Sequence, residues 1–142
     1  MICVVLAASV ALAASVVLKW FRDEGERHSM EARSLRVAFE AGQLLVVVPP
    51  LLRLEIVNVA GRRWGWAEPA LIELATALDS LGFEFKEPEL SSVSRWTARG
   101  LTAYDATYVA LAELEAIKLI TDDILILSVA SEIAVGLTAV DA

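Results

Sequence analysis

LTAYDATYVALAELEAIKLITDDILIL, residues 101–127, reads as a capped helix, a buried strand and an acidic turn in direct succession. Thr102 and Asp105 fit the S/T-x-x-D/E start of a helix predicted to run to Ala116. Ile117–Thr121 is then a short apolar strand, and Asp122-Asp123 opens a last helix near Leu125–Glu132. Apolar strands fed by helices belong inside parallel sheets. The same alternation extends outward. A strand around Val4–Leu12 leads into a helix ending near Phe21. Arg22–Arg27 is a charged turn, and Met30–Ala41 is a helix stopped by Gly42. Leu44–Val48 is a β-branched strand, and Pro49-Pro50 ends it and opens a helix to about Gly61. Arg62–Trp66 is a turn, Pro69–Leu81 a helix, Phe83–Phe85 a short strand and Glu89–Arg99 a helix. Leu137–Val140 is a candidate final strand. This pattern predicts an α/β protein, a mainly parallel open sheet with helices on both faces, in one domain over residues 1–142.

Composition narrows the chemistry. The 142 residues carry a net charge of −7 and are 57% hydrophobic, which argues against disorder. The overall field repels nucleic acid, so any such contact needs a local basic patch or a bridging metal. The single cysteine, Cys3, rules out an internal disulfide framework and cysteine-based zinc sites. The single histidine, His28, rules out H-E-x-x-H and lies in the charged run RDEGERHS, a poor setting for a Ser-His-Asp arrangement. Gly-rich nucleotide-binding signatures are absent from the sequence.

Residues 1–18, MICVVLAASVALAASVVL, admit three readings. A central strand running into a buried helix accounts for the run. Ala11-Leu12-Ala13 also looks like a signal-peptidase site, and the length approaches a membrane span. No basic residue precedes the run, and its Ala and Ser content gives little transfer energy, so the strand–helix reading is preferred and no membrane partner is expected.

Three carboxylates stand in or beside apolar segments: Glu55, Asp105 and Asp123. Ligands of open α/β sheets bind at the carboxyl ends of the strands. Asp123 directly follows a strand, Glu55 lies in the helix after Val48, and Asp105 opens its own helix, so all three can face one crevice. Each also has a plainer explanation. Asp105 completes a capping box, and Asp123 or Asp122 suits a helix start. Glu55 has Leu51, Leu52, Asn58 and Val59 at three and four residues' distance, so no ion pair along the helix is available to it. Together the three make a plausible ligand set for a hard divalent cation and metal-assisted hydrolysis.

The segments Thr102-Ala-Tyr-Asp105-Ala-Thr-Tyr-Val-Ala-Leu-Ala-Glu113 and Leu119-Ile-Thr121-Asp-Asp123 resemble the C-terminal half of PIN-domain proteins, above all the VapC-type toxins of toxin–antitoxin pairs. Pro49-Pro-Leu-Leu-Arg-Leu-Glu55-Ile-Val-Asn58 is similar to the family's second acidic motif, and Ala14-Ser15-Val-Val-Leu-Lys19-Trp20-Phe21 to its opening motif. The resemblance implies a three-layer α/β/α fold and a Mg²⁺- or Mn²⁺-dependent ribonuclease that cleaves RNA phosphodiester bonds. It implies an antitoxin protein as partner, a homodimer and a cytoplasmic location. Glu55, Asp105 and Asp123 take metal-ligand positions. Ser15 and Thr121 become neighbouring hydroxyls, and Asn58 a supporting group.

The chain departs from the family at one point. The opening motif normally reads Asp-Ala-Ser, whereas Ala13-Ala14-Ser15 stands here. Asp122 is one candidate to supply the missing oxygen. Two functions follow: a ribonuclease with a reduced ligand set, or a catalytically impaired module that binds a protein or RNA without cleaving. Arg62-Arg63-Trp64-Gly65-Trp66 has its own two readings, phosphate contact with base stacking or an ordinary helix end packed on the core. Arg95-Trp96 and Arg99 share that ambiguity. Lys19 is expected to pair locally. Trp20, Phe21, Leu35 and Phe39 suit either a groove for a partner helix or the core.

Overall fold

The computed structural model describes residues 8–22 and 28–139. Strand β1 (Ala8–Leu12) leads into helix α1 (Ala14–Phe21), followed by α2 (Ser29–Glu40), β2 (Leu44–Val48) and α3 (Leu51–Arg62). Then come α4 (Glu68–Ser80), β3 (Glu84–Phe85), α5 (Leu90–Ala98), α6 (Ala103–Glu115), β4 (Lys118–Thr121), α7 (Ile124–Val129) and β5 (Ala134–Gly136). A 3₁₀ turn follows at Leu137–Ala139. Residues 1–7 of the N-terminal run, most of the Arg22–Arg27 turn and Val140 lie outside the described residues.

The described strands form one sheet in the order β3-β2-β1-β4-β5, with every neighbouring pair parallel. Helices cover it in a three-layer α/β/α arrangement, as expected. The central strand β1 pairs with β2 through Val10 and Val46 and with β4 through Ala11 and Leu119. Its buried position explains the unbroken apolar sequence: Ala11 and Leu12 are 0% exposed. A cleavage after Ala13 would delete this middle strand. Among the described residues no helix is long and apolar enough to cross a membrane.

Chain order reverses at β1, whose neighbours are β2 on one side and β4 on the other. That makes the carboxyl ends of β1 and β4 the natural place for a crevice. The backbone N–H of Ala13 donates to the carbonyl of Ile120 at 3.0 Å, so the two strand ends stay together to their last residue.

The C-terminal expectations need correction. The last helix stops at Val129, and the final strand is Ala134–Gly136, not Leu137–Val140. Ala134 and Val135 align with Leu119 and Ile120, so the sheet takes the first residues that reach β4 in register. Trp20 and Phe39 resolve as core. Their rings lie 5.9 Å apart and both contact Phe83, and the Trp20 indole N–H donates to the Ala32 carbonyl at 2.8 Å. Leu35 is buried too, and Phe21 packs against this core from its edge.

Candidate active site

Four elements bring side chains to the crevice. Ala13 and Ser15 come from the β1–α1 junction, Glu55 from α3, Asp105 and Tyr108 from α6, and Thr121 and Asp123 from the end of β4. They line one cavity of about 200 Å³, closed on its apolar sides by Leu18, Val59 and Ile126. The structure therefore gathers Glu55, Asp105, Asp123, Ser15 and Thr121 in one place. A larger hollow of about 570 Å³ between α3 and α4 is lined mainly by Leu51, Leu54, Val57 and Leu78. Its Arg53 is paired with Asp79, and it offers no comparable set of reactive groups.

Local chemistry fixes each carboxylate. The Tyr108 hydroxyl donates to Glu55 Oε1 at 2.8 Å. Asp123 Oδ1 accepts the Ile126 backbone N–H at 2.9 Å and so caps α7, while the Asp123 N–H donates to Thr121 Oγ1 at 3.1 Å. Thr102 Oγ1 accepts the Asp105 backbone N–H at 3.1 Å, which is the cap expected for α6. The capping roles are therefore real, and they coexist with placement in the crevice: the α7 cap uses one Asp123 oxygen and leaves the other, and the α6 cap uses the Asp105 backbone N–H.

The carboxylates are not neutralised by one another. Burial pushes the Glu55 carboxyl above its ordinary range; the Tyr108 hydrogen bond opposes this and the Asp105 charge adds to it. Burial likewise raises Asp105, with the Asp123 charge adding and the Thr102 hydroxyl opposing. Tyr108 is raised by burial and by the Glu55 charge, so its hydroxyl stays protonated and keeps donating. Ser15 Oγ is buried without a hydrogen-bond partner.

This pattern fits a divalent cation. Three carboxylates and the hydroxyls of Ser15, Tyr108 and Thr121, with no sulfur or imidazole among them, make an oxygen set of the kind Mg²⁺ and Mn²⁺ take. Two carboxyls raised by burial, with a neighbouring carboxylate adding to each, and an orphaned buried hydroxyl are what such a set shows before a cation compensates it. The set is not fully drawn in: among the described residues no three acidic, histidine or cysteine side chains stand together as a ready ligand group. Tyr108 and the α7 N-terminus each engage one oxygen of Glu55 and Asp123, and Ala13 lines the same cavity.

Two expected contributors lie elsewhere. Asp122 faces away from the cavity. Its Oδ1 takes His28 Nδ1 at 2.8 Å and its Oδ2 lies 3.7 Å from the buried Lys19 Nζ, so it is engaged in a separate ion-pair group. The replacement of a missing ligand by Asp122 therefore has no support in the geometry. Asn58 is exposed on α3, three residues past Glu55, and does not line the cavity. Tyr108 is a further contributor that the acidic motifs do not single out; its place one turn after Asp105 on α6 is the signal in the sequence that it shares the crevice.

A family model for the PIN domain matches residues 10–132. The chain belongs to the PIN-domain family. PIN domains are generally metal-dependent nucleases. A crystal structure of PAE2754 from Pyrobaculum aerophilum is similar at 19% identity, covering 94% of this chain and 91% of that one, with a TM-score of 0.63. The structure of FitAB bound to an IR36 DNA fragment is similar at 15% identity, covering 94% of this chain and 98% of that one, with a TM-score of 0.55. At these identities the likeness concerns the fold. No curated protein matches the chain by sequence. In a PIN domain the crevice at the ends of β1 and β4 is where the acidic side chains of this chain would hold the ion. There, Glu55, Asp105 and Asp123 would supply carboxylate oxygens, Thr121 and Ser15 would orient ligands, and Tyr108 would fix Glu55. A bound divalent ion supplies charge neutralisation of the phosphate and activation of a water.

Proposed function

We propose that this PIN domain is a Mg²⁺- or Mn²⁺-dependent endoribonuclease that cleaves RNA phosphodiester bonds. We assign it the role of toxin in a VapC-type toxin–antitoxin pair, cytoplasmic, homodimeric and restrained by an antitoxin protein. The observation that carries the nuclease reading is the convergence of Glu55, Asp105 and Asp123 on one cavity with the hydroxyls of Ser15, Tyr108 and Thr121. Glu55 and Asp105 are costly to keep charged there without a cation, and an adjacent phosphodiester is the substrate whose developing charge a bound cation stabilises.

A second reading has its own observation. Ala13 is buried and lines the cavity, and the resemblance of Ala13-Ala14-Ser15 to the opening motif aligns it with that motif's Asp. A PIN fold lacking that ligand can persist as a binding module that does not cleave. Incubating an end-labelled unstructured RNA with the protein and Mn²⁺ separates the two. The nuclease reading predicts cleavage that EDTA and Asp105→Asn both abolish. Full stability with no cleavage by the wild type, and cleavage gained by Ala13→Asp, establishes the impaired module instead. Cleavage that persists at the wild-type rate in Asp105→Asn contradicts both.

A further inference from the structure

The Arg-Trp motif after α3 meets α1 at a corner of the molecule, and its surroundings say more than a helix end requires. Ser15 and Leu18 share one side of α1, which Arg22 follows directly, and Glu55, Val59 and Arg62 share one side of α3, which Arg63 follows. The first members of both rows line the carboxylate cavity. The arginines lie about 10 Å farther on, the span of seven residues. The Arg22 guanidinium lies 5.2 Å from the ring centre of Trp64, the residue after Arg63, so the ends of the two helices come together here. Gly65, at φ +72 between the two tryptophans, allows a tight turn, and the Trp64 and Trp66 rings stand 5.4 Å apart.

Charge marks this corner. Arg36, Arg53, Lys86 and Arg95 each pair with a carboxylate, Lys118 donates to the Glu132 carbonyl and Arg99 lies over the Trp96 ring. Arg22, Arg62 and Arg63 are exposed and have no carboxylate partner among the described residues. Arg62 and Arg63, adjacent at the end of α3, put two guanidinium groups with no carboxylate partner among the described residues next to the Arg22–Trp64 contact. The α3 dipole accounts for cations at its C-terminus and the α1 dipole for Arg22, but neither accounts for the paired indoles. Both tryptophans are only partly buried and retain ring surface toward solvent.

An open hollow of about 480 Å³ lies beside this cluster, lined by Phe21, Trp66, Ala70, Leu74 and Glu73. Its flat aromatic walls suit a base, and the Glu73 carboxylate repels phosphate but accepts from the amino and imino N–H groups of a base. A base inside a duplex cannot enter such a hollow, whereas an unpaired one can.

We propose that this corner binds single-stranded RNA: Arg22, Arg62 and Arg63 take backbone phosphates, and the Phe21–Trp66 hollow takes one unpaired base, read by Glu73. The strand then runs between the α1 and α3 rows into the carboxylate cavity. This rests on the ribonuclease reading for the strand's destination, but the binding itself does not require catalysis.

The test is fluorescence anisotropy of a labelled, unstructured oligoribonucleotide in EDTA, with a single-stranded DNA of the same sequence as control. Arg62→Ala/Arg63→Ala should weaken binding roughly tenfold at low salt and reduce the slope of log K against log salt by about 1.4, two phosphate contacts' worth on a single strand. Trp66→Ala should weaken it roughly tenfold and Trp66→Phe should restore most of the loss. Glu73→Gln should change which base is preferred in the RNA. Circular dichroism and melting of each variant exclude unfolding. Equal affinity and equal salt slope in Arg62→Ala/Arg63→Ala overturn the proposal, as does wild-type protein that binds no RNA. A shift of oligomeric state in that variant with unchanged RNA affinity also overturns it and makes the corner a protein contact. Cleavage abolished by Asp105→Asn but unaffected at the corner sinks this inference alone. Corner-dependent binding without any Mn²⁺-dependent cleavage sinks the nuclease reading alone.

Discussion

The Tyr108 hydroxyl on α6 donates a 2.8 Å hydrogen bond to Glu55 Oε1 on α3, joining two helices that are 53 residues apart in the chain. Tyr108 is 2% exposed, so the donor is fixed by packing and cannot swing away. It holds one oxygen of Glu55 against the cavity wall and leaves the other for a ligand. The bond also stabilises the charged form of Glu55 against the cost of burial.

Tyr108→Phe removes the donor and keeps the ring. The fold should lose about 1 kcal/mol, the worth of one such hydrogen bond. Mn²⁺ affinity should fall roughly tenfold, as for other groups that orient a metal ligand. A Mn²⁺ titration beside a thermal melt reads both quantities. Unchanged affinity would show that Glu55 is not positioned by Tyr108 for metal binding.

Asp105→Asn should stabilise the metal-free protein. Glu55 and Asp105 are held above their ordinary values of 4.5 and 3.8, so the folded protein binds these protons more tightly than the unfolded chain. Their effect on stability is therefore unfavourable at neutral pH and disappears as pH falls through the raised values toward the ordinary ones. The difference in Tm between Asp105→Asn and wild type should be positive near pH 7, roughly 1–4 °C, and shrink near pH 4. An Asn variant less stable than wild type at neutral pH would contradict the electrostatic account.

Asp123 does two jobs that substitution can separate. Its Oδ1 caps α7 through the Ile126 N–H. Asn keeps an oxygen for that bond, so Asp123→Asn should melt near the wild-type temperature. Asp123→Ala should cost about 1 kcal/mol. Both variants should lose the Mn²⁺-induced stabilisation. If Asp123→Asn binds Mn²⁺ like wild type, the residue is a cap and nothing more.

The contrast between Asp123 and Asp122 shows what the sequence conveys and what it withholds. Strand β4 is legible because Leu119 and Ile120 are apolar and an acidic pair follows at once, which places Asp123 at a strand end. Pro49-Pro50 marks the start of α3 in the same way, and with it the direction of Glu55. The fate of Asp122 is not local. It depends on Lys19 and on His28, which is 94 residues away and sits at φ +61 before α2. No spacing rule connects these positions. β5 was misplaced for a related reason: three residues of edge strand are chosen by register with β4, not by their own pattern.

Asp122→Asn tests that separate role. It should lower Tm, because the buried Lys19 loses a charged partner, and should leave Mn²⁺ affinity within about twofold of wild type. A large loss of Mn²⁺ affinity would return Asp122 to the metal site.

The central claim is that Glu55, Asp105 and Asp123 together hold a divalent cation despite Ala13. Thermal melting of the wild type and Asp105→Asn across a Mn²⁺ titration tests it most directly. An ion that binds only the folded state raises stability with its concentration. The wild-type Tm should therefore climb by several degrees at millimolar Mn²⁺ while that of Asp105→Asn stays level. A wild-type Tm that saturating Mn²⁺ leaves unchanged, or one that rises equally in Asp105→Asn, would contradict the claim.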